Sequence, residues 1–292
     1  MRLNCVLCNA GPDLKMLICV LRRKPEAVLA GCRNCGLLFT SGDYSVLEWN
    51  RAPNESDNLM KSLYKYADAL DFADEYIKEM NAADRIADIG CGYGRLLKAL
   101  EERTSAELIG LEPDGAAAQF AGRVSRAKIV VSSLSKFVET NKDKKFNLFV
   151  LRHVLEHLPD PLVKFEALRD LLGNGGMIYI EVPNVESINK NIISYFKPGH
   201  LFHYSPHTLN LVLSKAGLKI IKFALTDGAR AIRVIAARMD DARPAVASAE
   251  FGIKPDLKKF RKKIQIIRFF ETLLPPAHKV KNLPAKFVNK FL

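Results

Sequence analysis

Residues 85–95 read RIADIGCGYGR, a short apolar run that leads into a turn with glycines at positions 90, 92 and 94. A strand that enters a glycine-rich turn and then a helix places backbone N–H groups and the positive helix end at the carboxyl edge of a sheet. Glycines let the backbone come close to a bound ligand. The stretch therefore predicts an α/β domain with a ligand site at this turn.

A second acidic residue supports the same site. Glu112 ends the next apolar run, 107–111, and stands 24 residues after Asp88. This spacing suits a carboxylate that binds both hydroxyls of a ribose. Proteins that bind dinucleotides place a ribose-binding carboxylate at a similar spacing, so the spacing alone leaves the class of ligand open.

Residues 83–239 alternate between short apolar runs and amphipathic stretches. This pattern predicts βαβ units and an α/β fold with a doubly wound, mainly parallel sheet of seven strands. A short Thr-Asp-Gly turn at 226–228 separates the last two runs, which predicts a closing hairpin. The predicted strands are 85–89, 107–111, 128–131, 146–151, 177–182, 218–225 and 231–237. The predicted helices are 95–102, 115–122, 161–172 and 206–216.

Four stretches together resemble the class I, seven-stranded methyltransferases that depend on S-adenosylmethionine. They are the D-x-G-x-G-x-G turn at 88–94, LIGLEPD (108–114), FVLRHVLEHLPDP (149–161) and GHLFHYSPHTLNLVLSKAGL (199–218). The leading acid, with no G-x-G-x-x-G pattern, separates this turn from the dinucleotide-binding fingerprint. Over residues 83–237 the resemblance implies a Rossmann-like fold and S-adenosylmethionine as the cofactor.

The same resemblance implies which residues hold that cofactor. Asp88 would accept a hydrogen bond near its amino-acid part, Glu112 would bind the ribose, and the end of the third strand would hold the adenine edge. Many family members carry Asp at that strand end, whereas this chain has Ser132-Ser133. The implied cofactor residues are Asp88, Gly90, Cys91, Gly92, Gly94, Glu112, Pro113, Ser133 and Leu134.

Histidines gather in two stretches near the expected sulfonium. Methyl transfer is an in-line displacement with an activated leaving group, so the enzyme mainly positions the nucleophile and removes its proton. His153, Glu156 and His157 follow the fourth strand, and His157 is the first candidate for the base. His200 and His203 lie in a long segment that could form a substrate lid. His153 and His157 could instead cap a turn or pack under the cofactor, and His200 and His203 could have a plain loop role.

Metal binding by the pair His153-x3-His157 is a weaker hypothesis. In a helical turn the two rings share one face. Leu-Pro follows the second histidine, and no third ligand lies near it in the sequence. A role as base is therefore favoured over a metal site.

Four of the six cysteines form two C-x2-C pairs that are separated by 23 residues, at Cys5, Cys8, Cys32 and Cys35. This spacing is typical of two knuckles that hold Zn²⁺ through four thiolates. In a reducing compartment disulfides are the poorer interpretation. A four-thiolate site is closed, so we predict a zinc ribbon with a structural ion.

The net charge of +12 is concentrated in the tail. Residues 254–292 hold eleven basic and two acidic residues, a charge of +9, which leaves +3 for the first 253 residues. Apolar residues recur at helical spacing in this tail, at Phe260, Ile264, Ile267, Phe270 and Leu274. Such a basic amphipathic helix can lie on an anionic membrane, or it can pack on the domain with its basic side in water.

The chain divides into four parts. They are a zinc ribbon (1–42), a linker and entry helix (43–82), the S-adenosylmethionine-binding domain (83–240) and the basic amphipathic tail (241–292). The first residues contain no long apolar segment, and no apolar run approaches the roughly 20 residues that span a bilayer. We therefore expect a cytoplasmic protein, with peripheral contact at the inner face of the membrane as an option for residues 254–292.

The acceptor is less constrained than the donor. The ribbon pattern CxxC…CxxCGL at 5–37 resembles that of methyltransferases in sugar-nucleotide and surface-polysaccharide pathways, which implies a sugar, glycan or small-molecule acceptor and O-, N- or C-methylation. Ribosomal RNA base methyltransferases also carry such ribbons. An RNA substrate would need a basic stripe across ribbon and cleft, and these parts are nearly neutral. A non-catalytic ribbon adaptor and a nucleotide-sugar or NAD oxidoreductase are further alternatives.

Overall fold

The computed structural model describes residues 5–9, 14–18, 28–41, 70–188, 195–196 and 199–273. The predicted linker and the start of the entry helix, 43–69, lie outside these residues, as do Cys19 and the end of the tail, 274–292.

The strands of the described residues fall into two sheets. In chain order they are β1 (Leu14–Ile18), β2 (Val28–Cys32), β3 (Leu38–Ser41), β4 (Arg85–Ile89), β5 (Glu107–Leu111), β6 (Lys128–Val130), β7 (Phe146–Arg152), β8 (Leu172–Pro183), β9 (Phe202–His203), β10 (Leu218–Leu225) and β11 (Ala231–Arg238). The larger sheet has the order β10-β11-β8-β7-β4-β5-β6. The smaller one has the order β1-β2-β3-β9.

The helices in the described residues connect strands of the large sheet, except the first, which precedes β4, and the last, which follows β11. They are α1 (Asp74–Ile77), α2 (Arg95–Leu100), α3 (Gly115–Val124), α4 (Leu134–Thr140), α5 (Pro161–Leu171), α6 (Pro206–Lys215) and α7 (Leu257–Leu273). Single turns of 3₁₀-helix in the part of the chain that the structure describes are Leu155–His157, Val185–Ser187, Asp227–Ala229 and Ser248–Phe251. None of the helices in these residues is long and apolar enough to cross a membrane.

The prediction of a mainly parallel sheet with a closing hairpin is confirmed. Strands β8, β7, β4, β5 and β6 run parallel to one another, whereas β11 is antiparallel to both β8 and β10. Alternate side chains of β7 enter different cores: Phe149 and Leu151 pack with α5 and α6, while Leu148 and Val150 pack with α1 and α2. Helices therefore cover both faces of the sheet, as a doubly wound fold requires.

Most observed boundaries lie within two residues of the predicted ones, and two larger differences stand out. Strand β8 begins at Leu172, because its pairing with β7 jumps from Leu172 to Met177 and the glycine-rich residues between them bulge out. Helix α4 was not predicted, although its first turn carries a signal: the hydroxyl of Ser133 accepts a hydrogen bond from the backbone N–H of Lys136 at 3.3 Å. Serine is a preferred residue at this capping position.

The small sheet joins the cysteine-rich segment to the large domain. Strand β9 pairs with β3 through Leu38↔His203 and Phe39↔Phe202. The backbone N–H of Thr40 also donates to the carbonyl of Leu201 at 2.9 Å. A segment that follows the large domain's β8 thus becomes the fourth strand of the ribbon.

The first half of the basic tail packs on this ribbon. Leu257, Phe260 and Ile264 of α7 are buried and form one cluster with Leu29 and Leu38 of the ribbon. The ammonium group of Lys254 donates to the backbone carbonyl of Arg33 at 3.1 Å. The apolar side of α7 up to Ile264 is therefore covered by protein, while membrane contact by the remaining tail stays a prediction.

Candidate active site

The glycine turn follows β4 at the carboxyl edge of the sheet. Gly90 has a φ of 71°, and a Cβ atom at this position would lie 2.6 Å from a methyl group of Val154. Gly94 has a φ of 72°, and its Cβ would lie 2.9 Å from the Cα of Ala121. At Gly92, no described atom lies within 4 Å of the corresponding point. The turn is therefore packed on two sides and has open space at its middle glycine.

The end of β5 is locked to this turn through Glu112. One carboxylate oxygen accepts from the backbone N–H of Gly92 at 2.9 Å, and the other accepts from that of Asp114 at 2.9 Å. Asp114 in turn caps α3 by accepting from the N–H groups of Ala116 and Ala117. Two backbone hydrogen bonds hold the Glu112 carboxylate at the rim of the turn, where it can meet a ligand.

A cavity of about 150 Å³ opens beside the turn. Its walls are formed by Asp88, Gly90, Cys91, Gly92, Tyr93, Arg95, Leu96 and Arg152. Asp88 is 2 % exposed. Burial raises the pKa of its carboxyl to about 8, a shift that Glu112 adds to and Arg152 opposes. A cationic group placed in this cavity would stabilise the ionised form of Asp88.

These residues fit S-adenosylmethionine. Its amino-acid end carries an ammonium and a carboxylate, and the cavity offers one carboxyl, Asp88, and two guanidinium groups, Arg95 and Arg152. The cavity is smaller than the 300–1,000 Å³ or so of a typical ligand pocket, so it suits this end of the cofactor and leaves the ribose to Glu112 at the rim. When bound, the cofactor would supply a methyl group activated by a sulfonium.

The other predicted cofactor residues have diverse surroundings. Cys91 is buried and packs with α2, while Pro113 is exposed. Ser133 caps α4, and Leu134 is buried in the core beneath it. Their contact with the cofactor stays a prediction.

The sequence reasoning missed a buried carboxylate, Glu181, in β8. Its two oxygens meet Arg152 at 3.1 Å, His153 Nε2 at 3.2 Å, and Arg233 Nε at 2.8 Å. The hydroxyl of Tyr179 donates to it as well, at 2.9 Å. Burial opposes its ionisation, but the hydrogen bond from His153 and the two arginines lower its pKa to about 2. A charged residue inside the apolar run MIYIEV was the available signal.

His153 occupies a strained backbone position, with a φ of 55°. Non-glycine residues in this left-handed region cost of the order of 1–3 kcal/mol and cluster at functional sites. Its Nε2 meets Glu181, and its Nδ1 lies 3.5 Å from Glu156 Oε1. Burial disfavours the charged ring, but hydrogen bonds to Glu156 and Glu181 raise its pKa to about 9. The raised pKa favours the cationic ring at neutral pH, and the role of His153 as a base stays a prediction.

Glu156, His157 and His200 come together above the sheet edge. His157 Nδ1 lies 2.8 Å from the carbonyl oxygen of Gly199, and the His157 and His200 rings meet edge to face with centroids 4.8 Å apart. Because a carbonyl only accepts, Nδ1 of His157 carries the proton and the lone pair of the neutral ring is on Nε2. The backbone N–H of Leu201 donates to the carbonyl of Glu156 at 2.7 Å, which holds the two stretches together.

His203 lies deeper than the other histidines. It is 2 % exposed, its Nε2 lies 2.9 Å from the hydroxyl of Thr40, and its ring meets Phe196 edge to face. Burial lowers its pKa well below the ordinary value, so the ring is neutral. In this structure His203 links the domain to the ribbon, and its predicted contact with a substrate stays a prediction.

The four cysteines of the two pairs converge. Their sulfur atoms all lie within 4.8 Å of one another, with Cys5–Cys35 at 3.6 Å and Cys8–Cys32 at 3.5 Å. These distances exceed the roughly 2.05 Å of a disulfide. They match the roughly 3.8 Å between sulfurs that each lie about 2.3 Å from one tetrahedral zinc ion.

Comparisons with known proteins bear on the large domain. A family model described as a methyltransferase domain matches residues 60–222, more than half of the chain. A solved S-adenosylmethionine-dependent methyltransferase from Archaeoglobus fulgidus is 19% identical, with a TM-score of 0.49, over 61% of this chain and 94% of that one. The CcbJ methyltransferase from Streptomyces caelestis is 13% identical, with a TM-score of 0.48, over 57% and 88%.

One curated relative also matches part of the chain. The ubiquinone biosynthesis O-methyltransferase of Pasteurella multocida is 24% identical over an alignment of 113 residues, which covers 34% of this chain and 46% of that protein. The chain thus spans less than half the length of this relative.

Proposed function

The chain belongs to the family of S-adenosylmethionine-dependent methyltransferases through its methyltransferase domain, and we propose that it methylates a sugar, a glycan or another small molecule. One observation carries the proposal. The cavity lined by Asp88 and Arg152 adjoins the histidine-rich turn 153–157, which directly follows β7. Methyl transfer needs a donor site and a proton-accepting group side by side.

In this proposal the glycine turn binds the donor. Asp88 and Arg152 hold the amino-acid end, and Glu112 holds the ribose. The orientation of Glu112 is fixed before binding, because Gly92 and Asp114 already donate to it. Preorganisation of this kind reduces the entropy lost on binding.

The acceptor would bind over the turn that carries Glu156 and His157. In-line displacement requires the acceptor atom to lose a proton as the methyl group arrives. The lone pair on Nε2 of His157 supports a role at this step, and the buried Glu156 would stabilise the imidazolium. Burial raises the pKa of Glu156, but the hydrogen bond from His153 and the nearby His157 bring it below the ordinary value, so Glu156 is ionised.

We further propose that the four cysteines bind a structural Zn²⁺ ion. The support is the sulfur geometry and the position of the ribbon, whose β3 pairs with the segment that carries His200 and His203. A closed four-thiolate site keeps no open position for a substrate. The ion would therefore have a structural role: it would hold the ribbon in place, and the ribbon would hold the segment that carries His200 and His203.

The distribution of charge along the chain favours a sugar, glycan or small-molecule acceptor over RNA. The first 253 residues carry only +3, and the basic residues concentrate after Lys254. RNA binding draws mainly on contacts between basic side chains and phosphates, so a basic stripe across the cleft would be expected.

The test is methyl transfer from labelled S-adenosylmethionine to a panel of nucleotide sugars, lipid-linked glycans and ribosomal RNA. We expect label in a sugar-containing or other small acceptor, and Glu112→Ala as a donor-site control should remove it. Transfer only to RNA would overturn the acceptor class. Folded protein that binds no S-adenosylmethionine in calorimetry would instead favour a non-catalytic adaptor.

A further inference from the structure

We propose that Glu156, His157 and His200 form a second metal site, which holds a divalent transition ion such as Mn²⁺, Fe²⁺, Co²⁺ or Zn²⁺. One ligand atom from each residue lies within 4.8 Å of the other two. Two donor atoms about 2.1 Å from one ion lie roughly 3 to 3.5 Å apart. Small side-chain rotations are thus enough to close the cluster around an ion.

The first support is an oxygen without a partner. Glu156 is 2 % exposed, and its Oε2 accepts no hydrogen bond from any residue that the structure describes. Its other oxygen already faces His153 at 3.5 Å. An unsatisfied buried charged group is destabilising, and buried charges are usually paired or coordinate metals. A cation bound by Glu156 would remove this cost.

The second support is the orientation of His157. Its Nδ1–H donates to the carbonyl of Gly199 at 2.8 Å, so Nε2 is the atom that can ligate. Metal-binding histidines almost always donate their other N–H to a carbonyl or carboxylate in this way. The same segment supplies His200 one residue later, so one backbone stretch both orients one ligand and carries another.

The donor set selects the kind of ion. Two imidazoles and one carboxylate suit borderline transition ions, whereas Mg²⁺ and Ca²⁺ prefer oxygen ligands. Three protein ligands also leave coordination positions open for another molecule. An acceptor oxygen can take one of these positions.

The catalytic consequence rests on the proposed function, and it indicates an oxygen acceptor. A bound ion lowers the pKa of a hydroxyl, whose proton passes to water. The oxygen keeps a lone pair that forms the bond to the methyl carbon, while the electrons of the broken S–C bond stay on sulfur. An amine has a single lone pair, which the ion would occupy. His157 would then act as a ligand, not as the base.

The test measures ion binding apart from methyl transfer. Full-length protein with a filled ribbon is titrated with Mn²⁺, and free Mn²⁺ is followed by electron paramagnetic resonance. We expect one Mn²⁺ per chain, bound at least ten-fold more weakly by His200→Ala and His157→Ala. His207→Ala, a histidine outside the cluster, should bind it like the unchanged protein. Retained affinity for S-adenosylhomocysteine would verify that each variant is folded.

Each result has a separate meaning. No Mn²⁺ binding, or equal binding by the His200→Ala and His157→Ala variants, would overturn the metal site whether or not methyl transfer occurs. Mn²⁺ binding without methylation of any acceptor would leave the site standing and count against the proposed function. Methylation of nitrogen alone would overturn the assignment to an oxygen acceptor.

Discussion

The hydroxyl oxygen of Thr40 and Nε2 of His203 lie 2.9 Å apart, in the interior and 163 residues apart in the chain. Thr40 belongs to β3 of the ribbon, and His203 follows the segment that carries Gly199 and His200. The contact therefore connects the predicted zinc ribbon to the predicted acceptor side.

The first prediction concerns this hydrogen bond. Thr40→Val keeps the shape of the side chain but leaves the buried His203 ring without its partner, so we expect the free energy of unfolding to fall by about 1–3 kcal/mol. Urea denaturation measures the change. The exposed Thr140→Val is the matched control and should change it by less than about 0.5 kcal/mol. An equal effect of both substitutions would show that the link is not stabilising.

Loss of zinc should reduce methylation of the acceptor but should leave cofactor binding nearly unchanged. Cys32→Ser removes one predicted ligand, so we expect zinc content and acceptor methylation to fall together, because β3 holds β9 in place. Affinity for S-adenosylhomocysteine should remain within a few-fold, since the glycine turn contacts β5 and α3. Metal analysis, turnover and calorimetry measure these effects, with Cys19→Ser as control. Unchanged zinc content would contradict the four-cysteine site.

Glu112→Gln tests the donor site. An amide cannot accept from two backbone N–H groups through both of its ends, and it lacks the charge. We expect affinity for S-adenosylmethionine to fall by about 10- to 100-fold, in line with about 1.5–3 kcal/mol for hydrogen bonds to charged groups. Calorimetry measures it, and Glu107→Gln on the exposed start of β5 should leave it unchanged. Wild-type affinity in the Glu112 variant would remove Glu112 from the donor site.

Asp88 should release a proton when the donor binds. Its raised pKa of about 8 keeps the carboxyl largely protonated at pH 7, and the cationic ammonium of the donor favours the ionised form. Affinity for S-adenosylmethionine should therefore rise with pH up to about 8 and then level off. Calorimetry in buffers of different ionisation enthalpy counts the proton. Asp88→Asn should abolish the release, and its persistence in this variant would assign it to another group.

His153 makes stability depend on pH. Its pKa is raised to about 9 in the folded chain, against about 6.5 unfolded. Its stabilising contribution is present below about pH 6.5 and is lost as the pH rises through 9. The raised pKa of Asp88 also lowers the free energy of unfolding as the pH rises toward 8. The contribution of His153 must therefore be isolated with a variant. His153→Asn tolerates the left-handed backbone.

We expect the decrease in the free energy of unfolding between pH 6.5 and 9 to be smaller in His153→Asn than in the unchanged protein. Urea denaturation at a series of pH values measures it. Identical pH profiles would show that the contacts with Glu156 and Glu181 do not favour the cationic ring.

Much of the fold follows from local patterns. Strands β4, β5 and β10 begin and end where the alternation of apolar residues predicts, because burial on a sheet imposes its own period on the sequence. The glycine turn and the two cysteine pairs were predictable for a similar reason. Their geometry depends on residue types at fixed short spacings.

The contacts that shape the candidate site were not predictable in this way. Four side chains from three strands and the turn after β7 meet Glu181, and His200 comes to lie beside Glu156 and His157 across more than 40 residues of chain. Strand β9 is only two residues long and carries no period of its own.

The individual strands, the glycine turn and the predicted metal knuckles could thus be predicted from the sequence, because each is encoded within a few neighbouring residues. The contacts of His153 with Glu156 and Glu181, the internal link through His203, and the packing of Phe260 on the ribbon emerge only in the folded chain. The protonation of a ring and the burial of a helix face depend on neighbours that the chain brings together only when it folds.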